Sequence, residues 1–266
     1  MKTTVNGIDI TYDDLDSAEA PALIFIHAYP FDRTMWRSQT DAFKGRWRVI
    51  SYDLRGHGES GLGEEEFSLE LFVQDLMGLM DALRIKTAVL CALSMGGYIA
   101  LQAVETHPER FSALVLCDTR CSADTPEGKE DRNTAIKAIR RDGVEPYAEG
   151  LLGKLLAPET FETQPQTVEA AREMILAISS LSLERSLRAM RERKETCSKL
   201  PDIKIPALII VGEADKITPP EAARYLHDNI EHSRLAVIKD AGHLSNLENP
   251  SAFNDALKSF LDSLEK

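Results

Sequence analysis

Five short strand-like runs constrain this chain most: Ala22–Ile26, Trp47–Tyr52, Thr87–Cys91, Ala113–Cys117 and Pro206–Gly212, all largely apolar except the second, which carries Arg48 and Ser51. A strand with one wet face alternates polar and apolar residues. A run that is apolar throughout reads as a strand covered on both faces. The intervening stretches carry a helical period. Behind a Ser68 cap, Leu69, Phe72, Val73, Leu76, Leu79, Met80 and Leu83 share one face. The segment 95–106 is helical and stops before Pro108. This alternation predicts an α/β fold: a mostly parallel sheet of about eight strands flanked by helices.

Residues 2–14 add two short strands around the turn Asn6-Gly7. Trp36–Phe43 reads as a short helix. After the fifth run come a helix at 219–230, a strand at Leu235–Lys239 and a helix from Ser251 to about Leu264. Between Arg120 and Lys199 the alternation breaks. Only helical patterns occur there, at 129–141, 144–156, 165–180 and 182–198, separated by Gly143, Pro158 and Pro165. The expectation is one core, 1–119 plus 200–266, with a helical cap at 120–199 inserted into it. Arg185, Arg188, Arg191, Arg193 and Lys194 read as a solvated face of the last cap helix.

The balance of 31 Lys+Arg against 43 Asp+Glu gives a net charge of -12. That argues against nucleic acid or an anionic membrane as partner, since both need a basic footprint. No apolar run reaches the length of a membrane span, and Met1–Tyr12 lacks the pattern of a signal peptide. Cys91, Cys117, Cys121 and Cys197 show neither a zinc spacing nor a disulfide framework. The expected setting is therefore reducing and cytoplasmic, with no metal and no cofactor.

Chemistry enters at Ala92-Leu93-Ser94-Met95-Gly96-Gly97, directly after the third run. A serine stands at a strand-to-helix corner with small residues two places before and after it, the layout of a nucleophile elbow. Ala92 stands where the pattern G-x-S-x-G has glycine. Three more landmarks lie at strand ends: His27–Pro30, Asp53-x-Arg55-Gly56-His57-Gly58-x-Ser60, and Gly212-x-x-Asp215 with Gly242-His243.

In that order the four landmarks resemble the α/β-hydrolase family, over nearly the whole chain. The branch they are most similar to holds 3-oxoadipate enol-lactonases, carboxylesterases and cofactor-free haloperoxidases. The resemblance implies Ser94 as nucleophile, His243 as general base and Asp215 as the carboxylate behind it. Asp118, at the end of the fourth run, competes for the acid's role. His27, His57 and Asp53 read as structural members of their turns, and His107, His227 and His232 as helix-end or surface residues. The backbone N–H groups of Tyr29 and Met95 are the implied oxyanion donors. Ala28 replaces the family's usual glycine beside Tyr29, which puts the aim of that donor in question.

The implied reaction is hydrolysis of a small carboxylic ester or lactone through an acyl-Ser94 intermediate, with perhydrolysis as a side activity. Two rivals stand beside it. A carbon–carbon hydrolase of ring-cleavage products would need cap groups for an acidic product, and Arg120, Arg132, Lys137, Arg140 and Arg188 are the available cations. A non-catalytic protein would only hold a ligand in the same pocket. The expected partner is a small molecule, and homo-oligomerisation is left open.

Overall fold

The computed structural model describes residues 1–15 and 19–264. In chain order the first elements are β1 (Lys2–Val5), β2 (Ile8–Leu15), β3 (Ala22–Ile26), α1 (Arg37–Phe43), β4 (Arg48–Tyr52), α2 (Leu69–Ala82), β5 (Ala88–Leu93), α3 (Met95–Thr106) and β6 (Phe111–Cys117). An all-helical stretch follows: α4 (Pro126–Asp142), α5 (Val144–Leu155), α6 (Pro158–Thr163), α7 (Pro165–Leu176) and α8 (Ser180–Glu192). The alternation resumes with β7 (Ala207–Gly212), α9 (Pro220–Asn229), β8 (Ser233–Ile238), α10 (Ser245–Glu248) and α11 (Pro250–Leu264).

The strands form one eight-stranded sheet in the order β1-β2-β4-β3-β5-β6-β7-β8. It is parallel from β4 to β8, while β1 and β2 join antiparallel. Every residue of β3, β4, β5 and β7 is buried, as the unbroken apolar runs of β3, β5 and β7 require, and β4 buries Arg48 and Ser51 along with its apolar residues. Successive side chains serve opposite faces. Ile24, Leu90 and Ile209 pack with α2 and α3 on one side. Leu23, Val89 and Leu208 pack with Trp36, Phe253 and Leu257 on the other.

Several boundaries differ from the sequence reading. β5 runs on to Leu93, because its pairing with β6 continues through Ala92↔Leu116 and Leu93↔Cys117 right up to the serine. α6 and α10 were not expected; each is too short to show a period. The last cap helix ends at Glu192, not at 198. Arg193 leaves the helix and turns inward, where its side chain bonds Asp124 Oδ1 at 2.8 Å and stacks 4.2 Å above the Tyr98 ring. Arg185 and Arg188 are not a solvated face either, whereas Lys194 is exposed as expected. Arg185 bonds the carbonyls of Gly63 and Glu64, and Arg188 pairs with Glu66, so both fasten α8 to the core loop beside α2.

The cysteine reading also needs correction. Cys121 and Cys197 form a disulfide across 76 residues, closing the two ends of the helical insertion, and Thr196 N–H donates to Cys121 O at 2.9 Å beside it. Sequence spacing concealed the pair, because distant cysteines meet only once the cap folds back. Cys91 and Cys117 remain free and buried on adjacent strands. A loop of this size restricts the unfolded chain by roughly 4 kcal/mol in the chain-entropy estimate. Replacing both Cys121 and Cys197 by serine is expected to lower the Tm by roughly 5–10 °C under oxidising conditions. Calorimetry with and without reductant checks this, and the reductant should leave the double variant unmoved.

No helix among the described residues is long and apolar enough to cross a membrane.

Candidate active site

Ser94 is the residue between β5 and α3, and its backbone is in the left-handed region (φ 54°, ψ -111°). That conformation is costly for a residue with a side chain. It is held by Ser94 N–H donating to Cys117 O at 2.9 Å, and by Tyr98 N–H and Thr119 Oγ1 donating to Ser94 O at 3.2 and 2.8 Å. α3 can leave at this angle only because Gly96 has no side chain. A Cβ there would lie 2.6 Å from Ile26 O and 3.0 Å from His27 O. The close approach also brings the start of α3 against the loop that carries Tyr29.

The other two groups come from strands further along the sheet, at the same edge. Asp215 follows β7 and His243 follows β8. Gly212 lets the two loops touch, since a Cβ there would run into the backbone of Ala241 and Gly242. His243 Nδ1 lies 2.8 Å from Asp215 Oδ2, and His243 Nε2 lies 2.8 Å from Ser94 Oγ. An ionised carboxylate only accepts, so Nδ1 carries the ring proton and Nε2 accepts from the serine hydroxyl. All three residues are buried, with His243 1% and Asp215 3% exposed, so bulk water competes little for these bonds.

Asp215 is held as a turn residue as well. Its Oδ1 accepts from Ile217 and Thr218 N–H at 2.8 and 3.0 Å, and its Oδ2 accepts from Thr218 Oγ1 at 2.7 Å. Burial opposes its ionisation, but His243 and the Thr218 bonds outweigh that and hold the carboxyl below its usual range. Asp118, the competing acid, faces elsewhere. One oxygen accepts from Gly212 N–H at 2.8 Å and the other from Ser245 Oγ. Burial, then the Asp215 charge, push its carboxyl well above the usual range.

His27 and His57 stay in their turns. Leu54 N–H donates to His27 Nε2 at 2.9 Å, and His57 Nδ1 lies 3.0 Å from Arg55 O. Burial lowers both; His57 falls to about 3. Asp53 accepts from Arg33 and Glu59 N–H at 2.8 and 2.9 Å and pairs with the Arg33 guanidinium.

Among the described residues the N–H groups of Tyr29 and Met95 meet no hydrogen-bond acceptor. Ala28 is not among the residues with positive φ, so this turn makes no demand that only glycine could meet. Its Cβ is buried beside Phe31 and Met35. No group of three His, Cys, Asp or Glu side chains placed to hold a metal ion occurs among the described residues.

A profile of the alpha/beta hydrolase fold matches residues 21–250. The chain belongs to the alpha/beta hydrolase fold family. Within this family it is similar to 3-oxoadipate enol-lactonase 2 of Acinetobacter baylyi, at 29% identity over 97% of this chain and 95% of the relative. A thermophilic esterase from Thermogutta terrifontis, solved with malate bound, superposes with TM-score 0.95 at 34% identity, covering 100% of this chain and 99% of that one. The enol-lactonase from Burkholderia xenovorans superposes with TM-score 0.92 at 28% identity over 98% and 100%. Ser94, Asp215 and His243 all lie in loops that follow strands, while the sheet holds those loops in place.

Three residues around the site escaped the sequence reading: Thr119, Thr218 and Glu248. Thr218 sits three residues after Asp215, the spacing of a side chain that closes an aspartate turn, and that signal was readable. Thr119 and Glu248 act through partners remote in sequence and left no local sign.

Proposed function

We propose that this chain is a serine hydrolase of small carboxylic esters or lactones. The observation that carries the reading is the continuous row Asp215–His243–Ser94, with 2.8 Å at each of its two steps. A serine hydroxyl is a weak nucleophile at neutral pH, so its proton must leave as it attacks. His243 Nε2 takes that proton while Ser94 Oγ bonds the carbonyl carbon. The N–H groups of Tyr29 and Met95 receive the oxyanion. The imidazolium, stabilised by Asp215, protonates the departing alkoxide and leaves acyl-Ser94. Water then attacks through the same base, and the acid product departs with Ser94 restored. Residues 120–199 serve as the cap over this site. A fluorophosphonate probe tests the reading: wild type should be labelled covalently and Ser94→Ala should not. An unlabelled wild type favours the ligand-holding alternative.

The cap supports a finer reading, in which the substrate carries a carboxylate. Asp124 is shared by Arg120, Arg132 and Arg193, which leaves an excess of positive charge under the cap. Arg193 is used up by Asp124 and by the carbonyls of Met190 and Ser122. Arg132 is not. Its Nη1 has only the Met190 sulfur, at 3.5 Å, and it acts electrostatically on the hydroxyls of Tyr29, Tyr98 and Tyr147. Tyr29 is the oxyanion candidate's own side chain, and its hydroxyl lies 3.0 Å from that of Tyr147 on α5. Of the other cap cations, Arg140 pairs with Glu184 and the exposed Lys137 pairs with Glu130. Arg132→Gln should lower the ratio of kcat/KM for p-nitrophenyl hemisuccinate over p-nitrophenyl butyrate about ten- to a hundredfold, the size of a charge-assisted bond. An unchanged ratio removes Arg132 from this role.

A further inference from the structure

Glu248 is a buried carboxylate with no part in the chemistry above, yet it receives an unusual set of donors. Its Oε1 accepts from Gly242 N–H at 2.8 Å, and its Oε2 accepts from Ala157 N–H at 2.7 Å and from Thr160 Oγ1 at 2.6 Å. One donor is the residue directly before His243. The other two belong to the cap, at the start of α6. We propose that Glu248 is a positioning residue that ties the loop of the catalytic base to the cap, so that the place of the imidazole depends on the α5–α6 segment being seated.

The surrounding contacts point the same way. His243 N–H itself donates to Leu155 O in the cap at 2.7 Å, and Gln164 Nε2 donates to Glu248 O at 2.9 Å. The two backbones touch directly: a Cβ on Gly242 would lie 2.7 Å from Ala157 N and 2.8 Å from Leu155 O. The base's two successive amides, 242 and 243, are thus satisfied through the cap, one directly and one through a carboxylate. On the core side the same loop is held by Ser245 on Asp118 and by Asn246 on Met35 O. A single ionised acceptor suits this junction because every group aimed at it is a donor. Glutamine cannot replace it, since its NH₂ would meet Gly242 N–H or the Ala157 and Thr160 donors and leave a buried donor unpaired. Burial pushes the Glu248 carboxyl up, and the bonds from Thr160, Ala157 and Gly242 work against that.

The inference rests on His243 being the base. Its test uses Glu248→Gln and the cap variant Thr160→Val in the full chain, with active sites counted by fluorophosphonate end-point. Glu248→Gln should lower kcat per site for p-nitrophenyl acetate at least thirtyfold while KM stays within threefold, because a misplaced base damages the reaction more than binding. Thr160→Val should lower kcat three- to tenfold although Thr160 belongs to no reacting group. The two losses should be less than additive, since they break one junction. Hydrogen exchange should quicken in both 241–248 and 155–160 in Glu248→Gln, a readout independent of turnover and one that does not require the variant to be active. Full kcat per site in either variant, or unchanged exchange at 241–248, overturns the proposal. A wild type that neither hydrolyses the ester nor takes the probe instead removes the hydrolase reading beneath it, and Glu248 then has no base to place.

Discussion

Replacing Ser94 by alanine is expected to reduce kcat for p-nitrophenyl acetate by roughly 10⁵–10⁶-fold, and replacing His243 by alanine should cost about as much. The two losses should not add. Without the base the hydroxyl keeps its proton, and without the hydroxyl the base has nothing to activate, so either change removes the same step. Rate above the uncatalysed reaction should survive in both, because the Tyr29 and Met95 N–H groups still meet the oxyanion. Initial rates on purified protein, with the double variant as control, check this. More than a few per cent of activity in either single variant would take that residue out of its role.

Asp215→Asn should lower kcat by roughly 10³–10⁴-fold, whereas Asp118→Asn should cost less than about tenfold. The two aspartates are close enough to influence each other, but their surroundings divide the work. Asp215 lies on the imidazole and is kept ionised by it. An amide there offers either a poorer acceptor or an NH₂ aimed at Nδ1, which turns the ring proton toward the serine. Asp118 lies on Gly212 N–H and Ser245 Oγ and is pushed toward its neutral form, which asparagine copies. Turnover of both variants in one assay decides between them, and the opposite ranking would hand the acid's role to Asp118.

The difference between these aspartates also shows where sequence stops being informative. Both stand at the end of a buried strand, Asp118 after β6 and Asp215 just beyond β7. Both sites lie in the rim where the reactive groups gather, so position along the chain does not separate them. Which carboxylate reaches the imidazole depends on how far each loop projects. That is set by the Thr218 turn on one side and by the Gly212 and Ser245 bonds on the other. The same holds for the cap cations. Arg120, Arg132, Lys137, Arg140 and Arg188 are equivalent as cations, and only folding pairs Arg120 and Arg132 with the buried Asp124 while Arg140 and Arg188 go to Glu184 and Glu66.

What the residues alone determined is the sheet and the corner that presents Ser94. Unbroken apolar runs can be satisfied only when both faces are covered, and that condition is local enough to read from the chain. The serine corner is likewise local, because strand, small residues and helix are contiguous. Only the tertiary structure decided which aspartate lies on His243, that Cys121 and Cys197 close the base of the cap, and that Glu248 joins the cap to the histidine loop. Each of these is a contact between segments distant in sequence. Its partners are chosen by packing distances of a few ångströms, which no periodicity records.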